Sequence, residues 1–363
     1  MSGGRRRFLV ATGATILGGP TAVAADRVAI DERDRHETTI GFVGDTMLGR
    51  GVDERYGRNG ANPAAVWGDL RSRLQSLDGV CCNLECCLST RGERYPDRTY
   101  YFRADPEWAV PALEAGNVRF ASLANNHALD FGATALMDTL ESLDGGDIAH
   151  AGAGERPDDA RAPSVASIGD LDVAVVSFSD QSAEYAATED RAGTAYVECD
   201  PTNPETRRIV TETLERAAER DPDLLVASLH WGPNWVEIPD ETYREFGRWL
   251  VDEGVSIVHG HSAHVVQGIE PYDGGVILHD TGDFVDDYTV KEELRNDRSF
   301  LFEVAIDDGD PAAVRLVPVV IDDEAVRRAD PWEAAWLRKT IAERSAPFDA
   351  SFEYDDREVI VPL

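Results

Sequence analysis

From residue 39 onward the chain alternates short apolar runs with stretches of helical periodicity. TIGFVGD at 39–45, GVCCNLE at 79–85, VRFASLANN at 118–126, LDVAVVSFSD at 171–180, LLVASLHWG at 224–232, VSIVHGH at 255–261 and GGVILHDTG at 274–282 read as strands. Helices are predicted between them, over 62–77, 106–116, 132–144, 203–221 and 241–253. Strands that are apolar along most of their length are buried on both faces, so the pattern predicts a layered α/β fold with a covered, parallel or mixed sheet. SFLFEVAI at 299–306 and AVRLVPVVI at 313–321 are separated by only a turn, which predicts a closing hairpin. Beyond it, 331–345 has the pattern of an amphipathic helix with Trp332, Trp336 and Leu337 inward, and the terminal EVIVPL reads as an edge strand. We find no internal repeat and no low-complexity linker.

The strand ends carry the chemistry. The first runs into Asp45, the second into Asn83 and Glu85, the third into Asn125, Asn126 and His127, another into His230, and the next into His261 with His264 a turn later. Each has an ordinary structural role open to it: Gly-Asp is a common turn or helix cap, Asn a turn former, a lone His a buried hydrogen-bonding group. Five independent strands ending in oxygen and nitrogen donors are less easily explained that way. In open α/β sheets ligands bind outside the carboxyl ends of the strands. The donor set mixes carboxylate, amide and imidazole without thiolate, which suits Mn, Fe, Zn or Mg rather than copper(I) or an iron–sulfur cluster. His127, with Asp130 three residues on, has the makings of an oriented proton donor.

Composition then narrows the function classes. The formal charge is -33, from 68 acidic and 35 basic residues spread along the chain, and the only lysines are Lys291 and Lys339. A broad basic face for nucleic acid is excluded, and the surface reads as one adapted to high salt, where self-repulsion is screened. RRRFLVATGATILGGPTAVAAD near the N-terminus, with Arg5, Arg6, Phe8 and Leu9 and an Ala22-Val23-Ala24 cleavage site, reads as a twin-arginine export signal over 1–25. It predicts an exported protein, at the cell surface or beyond, touching a membrane only through this segment if uncleaved. Four of the five cysteines lie in VCCNLECCLS. Adjacent strand residues point to opposite faces and the spacing fits no zinc pattern, so they are expected to be small buried residues, with one disulfide near the loop.

Taken in order, GDTMLGR at 44–50, NLE at 83–85, NNHALDFG at 125–132, HWGPNW at 230–235, HGHSAHVVQGIE at 259–270 and GDFVDDY at 282–288 resemble the motifs of the CapA family, proteins of poly-gamma-glutamate capsule synthesis whose domain is similar to calcineurin-like metallophosphoesterases. The resemblance, over about residues 38–290, implies a four-layer α/β/β/α sandwich with two mixed sheets; the domain is expected to run over 38–322, with 323–363 a C-terminal helix and strand packed on it. It also implies a metal role for Asp45, Glu85, Asn126, His230, His261 and His264, and a proton-donor role for His127 oriented by Asp130. His259 inherits no metal role. Where the broader superfamily has a second histidine after the first aspartate this chain has Met47, and Asn83 and Glu85 replace a Gly-Asp pair, so the site holds one or two divalent ions.

Arg50, Arg94 and Arg98, with Arg91 and Arg103 nearby, form either a guanidinium clamp for a phosphoester or polyglutamate, or a set of partners for Glu93, Asp97 and Asp105. The expected activity is metal-dependent hydrolysis of an anionic substrate, with a non-catalytic module of a capsule synthesis and export complex as the alternative.

Overall fold

In the computed structural model, which describes residues 38–363, strand alternation sorts apolar side chains onto two faces of each sheet and so creates three main cores, beside a small cluster of Cys87, Phe131 and Ala135. One sheet runs in the order Glu353–Asp355, Glu358–Pro362, Asp310–Asp322, Arg298–Asp307, Thr38–Thr46, Gly79–Leu84, Val118–Ser122, Ala149–Ala151. From Thr38–Thr46 through Ala149–Ala151 the pairing is parallel, and on the other side it is antiparallel. The second sheet runs Ile269–Tyr272, Gly275–Leu278, Ile257–His261, Leu224–His230, Leu171–Ser179, Ser164–Ile168, parallel in the middle and antiparallel at both edges.

The sheets meet through one core: Ile40, Phe42, Phe120, Phe300 and Phe302 from the first face Val173, Val175, Val226 and Leu278 from the second. On the outer side of the first sheet, Val43, Val80 and Cys82 pack under the helices Pro106–Ala115 and Gly132–Gly145 through Trp108, Leu113, Leu136 and Leu143. Outside the second, Val176, Phe178, Ala227 and Leu229 pack under Pro204–Ala218 and Glu241–Asp252 through Val210, Leu214, Phe246 and Leu250. These are the four α/β/β/α layers with two mixed sheets that the motifs imply.

Several local expectations change in the tertiary structure. The segment 62–77 is not one helix: Pro63–Leu70 is 3₁₀ and kinks at Gly68, at φ 49°, where a Cβ would stand 2.1 Å from the Val326 carbonyl oxygen. Residues 323–363 pack on the domain and extend its main sheet; Ala325–Arg328 pairs with Asp310–Asp322. EVIVPL is not an edge strand, because Glu358–Pro362 is flanked by Asp310–Asp322 on one side and Glu353–Asp355 on the other. In helix Pro331–Ser345 the buried stripe is Ala334, Leu337 and Ile341, whereas Trp332 is 66% exposed and covers Arg298. All five cysteines are buried and free, so the expected disulfide is absent; Cys81 faces the inter-sheet core and Cys82 the outer one, as strand alternation requires. The export signal over 1–25 lies outside the described residues. Among those described, no helix is long and apolar enough to cross a membrane.

Candidate metal centre

The site lies where the carboxyl ends of the two central strand sets come together between the sheets. Asp45 is the eighth residue of Thr38–Thr46, and its strand continues past a register shift after Phe42 to pair with Asn83 and with Asp283. Two Gly-Asp pairs thus stand side by side. The Asp45 amide donates to the Gly282 carbonyl at 2.9 Å, and a Cβ on Gly44 would stand 1.7 Å from that oxygen, so only glycine permits the approach. From the other sheet, Ser228 and His230 share one strand face, and His259 and His261 share the matching face of the next strand, paired residue for residue. Turn residues complete the rim: His264 takes φ 57°, and the buried Asp280 holds its turn by accepting from the Ala263 and Gly282 amides, each at 2.7 Å.

Two groups of donor atoms result, each with its atoms within 4.8 Å of one another: Asp45, His230 and His261, and Asp45, Glu85, His264 and Asp283. Asp45 belongs to both. In the first group, His230 Nδ1 lies 3.0 Å from His261 Nδ1, and these nitrogens lie 4.0 and 3.9 Å from Asp45 Oδ1. In the second, His264 Nδ1 lies 2.8 Å from Asp283 Oδ1 and 3.3 Å from Asp45 Oδ2. Ligands about 2.0–2.2 Å from a shared ion stand roughly 3–4 Å apart, so both groups have the right spacing.

The electrostatics are incomplete without a cation. Asp45 Oδ2, Glu85 Oε1, Asn126 Oδ1, Asp283 Oδ2 and Asp286 Oδ2 are buried and have no hydrogen-bond partner. Buried charges are ordinarily paired or bound to metal. Burial drives the Glu85 carboxyl well above its usual range, and the neighbouring Asp45 charge pushes it further. Burial also raises Asp283 and Asp286. Burial opposes ionisation of Asp45 as well, yet His264 close by and the surrounding imidazoles hold it below the ordinary carboxylate range. Burial lowers His230 to about 3 and holds His261 well below its ordinary value, so both rings are neutral and present a lone pair at neutral pH. His264 is the exception: Asp283, Glu85 and Asp45 overcome burial and raise it. Several buried carboxylates therefore face a single imidazolium. A divalent cation satisfies this set, and the mixed donors leave its identity open.

The other residues named from the sequence stand around this pair of groups at different distances from it. Asn126 presents its partnerless Oδ1 at the rim, and His259 lies one alternation deeper, its Nε2 3.1 Å from the Val43 carbonyl of the facing sheet, which gives it a bridging position between the sheets. Met47 is wholly buried in the outer core. His127 stacks on Phe102, with ring centroids 3.9 Å apart, and its Nδ1 is 2.6 Å from Asp130 Oδ2. Asp130 is held in turn by the Phe102 amide at 2.7 Å and the Tyr185 hydroxyl at 3.3 Å. An open cleft of about 520 Å³ lies above, lined by Arg50, Arg98, Asn126, His127, Trp235, His264 and Lys291 among others. Arg50 and Arg98 line it; Arg94 does not, its exposed guanidinium lying 4.9 Å over the Tyr101 ring.

Asp283, Asp286 and Lys291 are residues to which the sequence assigned no part in the site, and Asn83 was read only as a strand-end residue. Asp283 stands in a quoted motif, and its signal was the repeated Gly-Asp pair. Asn83 braces the first group: its Nδ2 donates to Asp45 Oδ1 at 2.7 Å and lies 3.3 Å from His230 Nδ1, while Asn125 Nδ2 donates to Asn83 Oδ1 at 3.1 Å.

Residues 39–288 match the family described as Bacterial capsule synthesis protein PGA_cap. A "Probable polyglutamine synthesis accessory protein" of Mycobacterium tuberculosis is 32% identical over 353 residues, covering 85% of this chain and 92% of that protein. The capsule biosynthesis protein CapA of Bacillus anthracis is 28% identical over 81% of this chain and 70% of its own length, and the PGA biosynthesis protein CapA of Bacillus subtilis is 28% identical over 76% and 73%. The match spans the first strand, all the donor residues and the strand ends between them, and the chain belongs to the PGA_cap family of bacterial capsule synthesis proteins.

Proposed function

We propose that this protein is an exported metal-dependent hydrolase of the CapA type, acting on an anionic substrate in the synthesis of poly-gamma-glutamate or a related cell-surface polymer. The observation that carries this reading is the pair of buried donor groups sharing Asp45 at the floor of an open cleft. Asp45, His230 and His261 would hold one divalent ion, and Asp45, Glu85, His264 and Asp283, with the Asn126 amide oxygen nearby, a second. A divalent ion there supplies Lewis acidity and an acidified water.

The chain's own residues supply the rest. Asp130 accepts from His127 Nδ1–H, which fixes the tautomer and stabilises the charged ring. The other nitrogen, Nε2, lies 3.9 Å from Glu85 Oε1. Burial lowers the His127 pKa against the pull of Asp130, so the resting ring accepts a proton at Nε2, and an anion in the cleft favours the imidazolium that gives it to a leaving group. Arg50 and Arg98 place positive charge on the cleft wall.

Turnover of a generic phosphodiester and of a gamma-linked glutamyl polymer, each with added manganese(II), tests the reading. Asp45→Asn and His261→Ala should each lower turnover by about a thousandfold or more. A wild-type protein that turns over neither substrate, together with capsule production that survives both substitutions, overturns the hydrolase and leaves a non-catalytic capsule-assembly module.

A further inference from the structure

The cleft contains a cation that the site chemistry does not use. Arg50 is committed to Asp287, with Nε 2.9 Å from Oδ1 and the Gly51 amide 3.0 Å from Oδ2. Arg98 is held by the Asn126 carbonyl at 2.5 Å, the Ser182 hydroxyl at 2.9 Å and Glu184 at 3.6 Å. Lys291 differs. Among the described residues its ammonium forms no ion pair, although Glu292 and Glu293 follow it directly; it sits 4.7 Å over the Trp235 ring. In a chain with 68 acidic residues, a lysine on the cleft wall that meets an indole instead of a carboxylate is positioned to stay available.

Trp235 is itself placed against its preference. Its backbone takes φ 68°, a left-handed conformation costly for a bulky side chain, and it is fixed by the hydrogen bond its amide donates to the Ala263 carbonyl at 2.8 Å. That conformation puts the indole beside His264, with ring centroids 5.0 Å apart, and leaves it under Lys291. One aromatic ring therefore separates the free ammonium from a donor of the metal centre.

We propose that Lys291, carried on Trp235, is a specificity-determining residue: it receives an anionic group of the ligand remote from the reacting bond, so that the cleft selects ligands bearing two or more anionic groups over single anions. This rests on the reading of the cleft as the substrate site. The single free charge acts at the His264 side of the cleft, while Arg98, already hydrogen-bonded, adds only its positive field at the Asn126 and His127 side, so a repeating polyanion meets positive potential along the cleft. Trp235 serves as the platform that sets the height and direction of the ammonium.

Calorimetric titration of the full chain, loaded with manganese(II), with a gamma-linked oligoglutamate and separately with inorganic phosphate gives the test. Wild type should prefer the oligomer, and Lys291→Ala should cut the ratio of the two affinities by about tenfold or more, with Lys291→Arg restoring most of it. Trp235→Leu should lower the ratio while leaving Lys291 in the chain, and Lys339→Ala, on the exposed helix face, should leave it as in wild type. Wild type without a preference, or Lys291→Ala with the wild-type ratio, overturns the proposal. A Lys291-dependent preference in a protein with no turnover sinks the hydrolase reading alone, whereas turnover with the ratio intact in Lys291→Ala sinks only this one.

Discussion

Two regions of this molecule bury charge, and they do so in opposite ways. At the corner where helix Pro331–Ser345 begins, the buried Glu333 carboxylate is fully partnered. Glu333 receives Arg327 through two bonds of 2.8 and 2.9 Å and caps the Asp330 amide at 2.8 Å, while Asp330 accepts from the Trp332 and Glu333 amides. At the metal centre, four carboxylates and an amide keep buried oxygens with no partner. A protein gains nothing in stability from such atoms unless something absent from the polypeptide binds them. The corner stabilises the fold; the strand ends hold unsatisfied groups in place for an ion.

Removing one of the partnerless carboxylates gives the strongest way to break this contrast. Asp283→Asn should weaken divalent-ion binding by at least about 100-fold, measured by metal content after dialysis against graded free metal. Wild-type affinity in that variant would mean its orphaned oxygen is not held for an ion. A smaller loss, of about 10-fold, is expected for Asn83→Ala, which touches no ion in our reading but orients Asp45 and His230. An unchanged affinity would reduce the Asn83 amide to a packing group.

At the helix corner the expected effect on metal binding is nil, and stability is the readout. The Arg327 guanidinium, foremost, holds the Glu333 carboxyl down to about 2, below its ordinary 4.5. A carboxylate depressed in the folded state contributes stability that is fully present above its unfolded pKa and is lost as pH falls through the folded one. Glu333→Gln should therefore cost about 1–3 kcal/mol in urea unfolding above pH 4.5, and the difference from wild type should close as pH drops toward 2. A difference independent of pH would show that the ionised carboxylate is not what stabilises the corner.

How much of this was readable in advance differs from residue to residue. The alternation of apolar runs and helical segments was enough for a layered α/β fold with a covered sheet, because burial on both faces leaves a mark that is local in sequence, whereas the four layers and two sheets came from the motif resemblance. His261 and His230 were readable because each ends an apolar strand. Arg94 was grouped with Arg98 on sequence proximity, yet a loop's side chains are placed by what they pack on: Arg94 lies over Tyr101 and Arg98 reaches Asn126. Trp332 was expected inward with Trp336 and Leu337, and instead covers Arg298 from outside the core.

Sequence alone determined the order of the strands along the chain, the parity of their faces and the residue types delivered at their ends. Parity even put His259 and His261 on one face. Only the tertiary structure decided that His261 reaches the rim while His259, two residues and about 6.6 Å further back along the strand, lies under the Val43 carbonyl of the opposite sheet. It likewise decided that Asp283 joins Asp45 and that Lys291 overlooks the cleft. The reason is physical: periodicity is fixed by bonds between neighbours, whereas the register between two sheets, and the reach of the loops between them, depends on packing among residues hundreds of positions apart.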